Sequence, residues 1–205
     1  MIRFEGQATI CMFVVPYQKD FQLADWESRN FVDELAAKKF EQLGIQPSPL
    51  CDDATFVRRA FLDATGTQPT IEQSQAFVKS DNPKKREQLI DELLGLTGDP
   101  ERDIHNDNYA AWWTLKWSDL IRNTSGGGRQ ELAMWSMHNW MKEAFRTNRP
   151  FNQFVSDLVT AKGSVYSSGP ANYFRIFRNS SELTEGTAQL FLGVRLECAK
   201  CHHHP

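Results

Sequence analysis

The sequence predicts a mostly α-helical fold, a multi-helix domain preceded by a short N-terminal β hairpin. From about residue 30 onward, apolar residues recur at steps of three and four, which is the period of an amphipathic helix. Glycines, prolines and capping residues divide this pattern into helix-length segments. No fixed-period repeat and no alternation of strand and helix patterns occurs. Only the residues before Pro16 have the pattern of extended chain.

The N-terminal segment predicts two strands. Ile2 and Phe4 are followed by a turn at residues 5–7 and then by a β-branched and aromatic run that ends at Val15. Because an isolated hairpin is barely stable in water, we expect residues 1–18 to be the end of a truncated β-sandwich of the Ig-like type. Residues 19–205 then form the helical domain, which we expect to be truncated at its C-terminal end.

Capping signals place the first helices. The first follows Asn30 and ends at Gly44, the second follows Asp52 or Asp53 and ends at Gly66, and Thr70 with Gln73 forms a capping box for the third. Pro83 and Pro150 are expected at helix starts, and "SSGPANYFR" is expected to be a loop. Five later apolar stripes predict further helices. They contain Leu89, Ile90, Leu93 and Leu94; Trp112, Trp113, Trp117 and Leu120; Met137, Trp140, Met141 and Phe145; Phe151, Phe154, Val155 and Leu158; and Leu183, Leu190, Phe191 and Val194. The last of these helices is expected to run from Glu182 to the cysteines, with Gly186 and Gly193 permitting close contact.

Composition excludes several classes of protein. Apolar residues make up 40% of the chain, charged residues 24%, and the net charge is −3, without a basic stripe that nucleic acid would require. No run of eighteen apolar residues occurs, so no membrane span is expected. The serines lack a G-x-S-x-G setting and no phosphate-binding loop is present. The sequence thus identifies no catalytic residue and leaves enzymatic activity undecided.

The chemistry of the chain is concentrated in its last ten residues, "LECAKCHHHP". Cys198, Cys201 and His202 form a C-x-x-C-H motif, which chance would produce in this composition about once in five hundred sequences. Two thiols on one helical turn face the same way and can form thioethers with the two vinyl groups of one haem. His202 then supplies an axial ligand to the iron. The motif predicts covalent haem c and electron transfer.

Two alternatives stay open. Zinc, or another metal, would take the same two sulfurs as thiolates and complete a tetrahedral set with His202 and His204. In the second alternative Cys198 and Cys201 are structural, as a local disulfide or as reduced thiols. The chain would then be a non-redox scaffold module of the cell surface.

A second axial ligand for the iron would be a methionine or a histidine. Met134, Met137, His138 and Met141 fall on one predicted helix. Met137 and Met141 lie on its apolar stripe, so we expect them to fill the core, and we expect His138 to take a surface or capping role.

Several segments together resemble a known family. "NFVDELAAKKFEQLGIQPSPLCDDATFVRRAFLDATGTQPT", "WWTLKWSDLIR", "NRPFNQFVSDLVTAKGS" and "TAQLFLGVRLECAKCHHHP" are similar to blocks of the planctomycete cytochrome-like proteins described as domain of unknown function 1549. The resemblance covers about residues 20–205. It implies a large, exported, multi-domain protein with an Ig-like or cytochrome-like module ahead of this domain.

Location and partners follow as expectations. Covalent haem attachment and Ig-like modules both belong outside the cytoplasm, so we expect a periplasmic or cell-surface protein whose export signal lies upstream of residue 1. Its partner would be a redox protein or a surface assembly that the sequence does not identify.

Overall fold

A computed structural model describes residues 2–4, 7–9, 13–177 and 179–201. For residues 2–4 and 7–9 and for Cys198 it describes the backbone alone. The chain divides into two compact units, one that ends at Cys51 and one that begins at Asp52. Each unit is described by itself.

The first unit begins with two short paired strands. β1 (Ile2–Phe4) and β2 (Gln7–Thr9) are antiparallel, with Ile2 opposite Thr9 and Phe4 opposite Gln7. No other strand occurs in the described part of the chain. The origin of this pair in an Ig-like module, and the domain boundary after residue 18, stay predictions.

The first helix, α1 (Phe31–Leu43), has the bounds that the sequence predicts. The Asn30 side chain accepts hydrogen bonds from the backbone N–H groups of Val32 and Asp33, which are unpaired in the first turn of any helix. Gly44 ends the helix in the left-handed conformation, at φ 65°. A residue with a side chain is strained in that region, and glycine is not.

Among the described residues of the first unit, residues 17–26 contact the C-terminal half of α1. Phe40 packs edge-on against Trp26, with ring centroids 5.6 Å apart, and residues 17–26 cross this half of the helix. Val32 and Leu35 are 56% and 59% exposed. Val32 and Leu35 have the spacing of an apolar helix face, and both are nevertheless exposed.

The regular secondary structure of the second unit is helical in its described residues, which confirms the predicted mostly α-helical class. Its helices are α2 (Asp53–Thr65), α3 (Ile71–Lys79), α4 (Lys85–Leu94), α5 (Asn106–Leu120), α6 (Arg129–Arg146), α7 (Phe151–Thr160) and α8 (Ser180–Thr187). A 3-10 helix (Gly169–Arg175) joins α7 to α8, a π-helix (Ala188–Leu192) continues α8, and a second 3-10 helix (Glu197–Lys200) follows.

The predicted caps are confirmed with one exception. Asp52 caps α2 by accepting from the Thr55 N–H at 2.7 Å, and both hydrogen bonds of the Thr70–Gln73 capping box are present. Pro83 instead precedes α4 by two residues, because Lys84 is the N-cap. Pro150 is the residue immediately before α7.

Two apolar clusters hold the second unit together. The smaller joins α2 to α4 through Val57, Phe61 and Leu93. The larger lies between α5, α6, α7 and the 3-10 helix Gly169–Arg175, and its fully buried members include Met137 and Met141. The expectation that these two methionines are core residues is confirmed. Among the described helices, none combines the length and the apolarity that a membrane crossing requires.

Candidate cofactor site

Cys198, the first cysteine of the motif, lies on a short 3-10 helix, Glu197–Lys200, and not on the end of a long α-helix. The expected last helix, from Glu182 to the cysteines, stops early. α8 and the π-helix together end at Leu192, and Gly193 terminates them at φ 67°. The motif helix is thus a separate element, set off from α8 by residues 193–196.

The sequence predicts that Gly186 and Gly193 both permit close packing, but the structure shows a close contact at Gly186 alone of the two. A Cβ built on Gly193 meets no atom of the described residues within 4 Å, and the glycine adopts the left-handed conformation of the turn. A Cβ built on Gly186 would collide with the ring of Phe177. Of these two glycines, Gly186 is the one that permits close packing.

The two cysteines of the motif occupy positions that a 3-10 helix brings to the same side. Cys198 is within this helix and Cys201 is the next residue after it. A 3-10 helix has three residues per turn, so positions three apart lie one above the other. The Cys201 thiol is exposed and forms no disulfide within the described part of the chain. The Cys198 side chain and the predicted ligands His202 and His204 lie outside the described residues.

The motif helix lies next to α8. Lys200 Nζ is 3.9 Å from Glu185 Oε1, and the Ala199 N–H donates to the Leu196 carbonyl at 2.9 Å. Because the Lys200 side chain is more than half exposed, this ion pair adds little to stability. It does place the 3-10 helix Glu197–Lys200 beside Glu185 of α8.

An apolar cavity of about 370 Å³ opens beside this segment. Leu183, Leu192, Leu196, Phe174 and Tyr173 are among its lining residues. Leu196 precedes Cys198 by two residues, so their Cα atoms are at most about 7 Å apart. Leu192, at the edge of this cavity, is 73% exposed.

The polar groups at this cavity are already engaged. The hydroxyl groups of Tyr173 and Thr187 are 2.9 Å apart and share a hydrogen bond. Burial raises the pKa of Tyr173, so its phenol stays neutral near pH 7. What the cavity offers to a ligand is therefore apolar contact.

These observations fit a haem. A haem attached at two thiols needs both on one side of the chain, an accessible sulfur, and apolar surface for its macrocycle. The described residues supply the matching positions 198 and 201, the exposed Cys201 thiol and the apolar cavity. For zinc, no group of three or more Cys, His, Asp or Glu residues able to hold a metal occurs among the described residues. The set proposed for zinc includes His202 and His204, which lie outside the described residues.

The cavity wall was not predicted from the sequence. Tyr173 and Phe174 belong to "SSGPANYFR", which was expected to be a loop and is largely the 3-10 helix Gly169–Arg175. Pro170 near its first position is typical of a helix start, and two adjacent aromatic residues are unusual in an exposed loop. Those two signals together would have indicated a buried turn.

Comparison with known proteins identifies the family. The family model PSCyt2, described as a protein of unknown function (DUF1549), matches residues 31–205. No curated protein matches the chain, and no solved structure does. The match begins at the first residue of α1 and continues through the cysteine motif. It covers well over half of the sequence, and the chain therefore belongs to the PSCyt2 (DUF1549) family.

Proposed function

We propose that this chain is a c-type-cytochrome-like protein that carries one haem on Cys198 and Cys201, with His202 as an axial ligand, and transfers electrons. The observation that carries the proposal is the position of the C-x-x-C-H motif. Cys198 lies on a 3-10 helix that Cys201 directly follows, and Leu196, the residue before this helix, lines an apolar cavity.

Each part of the site has a separate task. When bound, the haem supplies a one-electron couple whose potential depends on its axial ligand and on the polarity around it. The Cys198 and Cys201 thiols would hold the macrocycle, and His202 would supply a nitrogen ligand to the iron. The apolar lining of the cavity would lower the polarity on one side of the site, which favours the less charged oxidation state.

The location and the partner belong to the same proposal. Covalent haem attachment takes place outside the cytoplasm, so we propose a periplasmic or cell-surface protein whose partner is another redox protein. The exposed apolar side chains near the motif, Leu192 and Val194, suit a short-lived encounter with such a partner.

The test is to produce the chain in a host that has haem-attachment machinery. We expect a Soret band and, after denaturation, a mass increased by one haem. Both should be lost in Cys198→Ala and in Cys201→Ala. Cys51→Ala is the matched control, because Cys51 lies outside the motif, and it should keep both. A colourless protein of unmodified mass from the same host contradicts the proposal.

His204 distinguishes zinc from haem in the same experiment. It is a ligand in the zinc set and has no part in thioether attachment. Stoichiometric zinc that is lost in both Cys201→Ala and His204→Ala would establish the zinc site in place of the haem. Protein that holds neither haem nor metal would leave the motif with a structural role on a non-redox module.

A further inference from the structure

A second cavity, of about 410 Å³, lies within the second unit between α2, α3, α4 and residues 101–105. Its floor is apolar and includes Val57, Phe61 and Leu89, while its rim is polar. A volume of this size is within the range of small-molecule sites. None of its lining residues belongs to the cysteine motif or to the first cavity.

Both cations of this cavity are already paired. Lys85 Nζ lies 2.6 Å from Asp53 Oδ2 and donates to the Ser80 carbonyl at 2.7 Å. Arg102 donates to Glu92 Oε1 through Nε at 3.1 Å and through Nη2 at 2.8 Å. An anionic ligand would have to break one of these pairs, and the carboxylate of Glu101 on the rim would repel it as well.

Two glutamine side chains at this cavity have N–H donors that form no hydrogen bond with the described residues. The Gln73 Oε1 accepts from the Thr70 N–H at 2.8 Å, and the Gln88 Oε1 accepts from Asn82 Nδ2 at 2.8 Å. These contacts fix the direction of each side chain. They leave both NH₂ groups without a partner among the described residues, so each has two N–H donors for a ligand.

His105 adds a neutral imidazole to the same wall. Its ring packs edge-on against Phe61, with centroids 5.1 Å apart. Burial lowers the pKa of His105, so at pH 7 its ring has one N–H donor and one acceptor nitrogen. Neither nitrogen has a hydrogen-bond partner in the described part of the chain.

We propose that this cavity binds a neutral, polyhydroxylated ring of the monosaccharide class. Hydroxyl groups both donate and accept, so one such ring can take the glutamine donors, pair with either nitrogen of His105 and donate to the Glu101 carboxylate. Its C–H face is suited to the apolar floor at Val57 and Leu89. This site is independent of the haem, and the two proposals can fail separately.

The test is an NMR titration of the full 205-residue chain with labelled histidine, using glucose, galactose and mannose up to about 50 mM, a range that reaches millimolar dissociation constants. We expect at least one sugar to shift the His105 ring signals saturably. His138 is the matched control, since it is also half-buried and edge-on to an aromatic ring, Trp135, at 5.0 Å, but it does not line this cavity. Its signals should not move.

Two further arms complete the test. Glucuronate, which adds a negative charge to the same ring, should bind at least tenfold more weakly than glucose. Gln88→Leu should weaken sugar binding about tenfold, and its circular dichroism spectrum should equal that of the parent. The proposal is overturned if no sugar moves His105, if His138 moves equally, if glucuronate binds as tightly, or if Gln88→Leu binds normally.

Discussion

Gly169 shows how a single side chain would disturb the wall of the candidate haem cavity. It opens the 3-10 helix Gly169–Arg175, and a Cβ built on it would lie 2.5 Å from Trp140 Cβ and 2.6 Å from the Ser136 carbonyl oxygen. A backbone carbonyl in α6 cannot rotate away, so Gly169→Ala forces the two elements apart. We expect a loss of about 1–3 kcal/mol in the free energy of unfolding, measured by urea denaturation.

Gly126→Ala is the control for that measurement. The nearest atom to its built Cβ is the Oε1 of Gln130, the end of a flexible and exposed side chain. This side chain can move aside, so the variant should differ little from the parent. Equal stability of Gly169→Ala and the parent would show that α6 and the 3-10 helix are not in close contact.

At the scale of elements, the capping box of α3 gives a direct prediction. The Thr70 hydroxyl accepts from the Gln73 N–H at 3.2 Å, and Gln73 Oε1 accepts from the Thr70 N–H at 2.8 Å. Thr70→Ala removes the first bond, and we expect the free energy of unfolding to fall by about 1 kcal/mol. Thr70→Ser keeps the hydroxyl and should stay within experimental error of the parent. A Thr70→Ser loss as large as that of the alanine variant would contradict this role.

Helix ends were predictable from the sequence because their causes are local. Asn30, Asp52 and Thr70 each satisfy donors within three residues, and Gly44 and Gly66 adopt a conformation that other residues avoid. Burial was less predictable, since it depends on what packs against a helix. Val32 and Leu35 have the correct period for a buried face and are exposed.

At the scale of the whole molecule, the candidate site consists of a motif that is local in the sequence and a cavity that is not. The spacing of Cys198, Cys201 and His202 is contained in five consecutive residues, so the sequence alone indicates the chemistry. The cavity beside the motif is assembled from α7, the 3-10 helix Gly169–Arg175, α8 and Leu196. Contacts between segments so distant in the sequence leave no local pattern, and the cavity therefore required the structure.

The dependence of stability on pH is the last prediction, and it depends on two histidines. Burial lowers the pKa of both His105 and His138 below the usual value of 6.5, with Lys142 lowering that of His138 further. Between the lowered pKa and 6.5 the unfolded chain binds more protons than the folded one, so stability falls as pH falls through this window. At pH 7.5 both rings are neutral in both states and the effect is absent.

Urea denaturation at pH 7.5 and at pH 5.0 measures this loss. The carboxylates whose pKa values are lowered, such as Asp53 beside Lys85 and Arg86, lose their contribution only below their usual pKa values of 3.8 for aspartate and 4.5 for glutamate. Both values lie below pH 5.0. We therefore expect a smaller difference between the two pH values in His105→Gln combined with His138→Gln than in the parent. The same difference in both proteins would show that protonation of other groups governs the acid sensitivity of the fold.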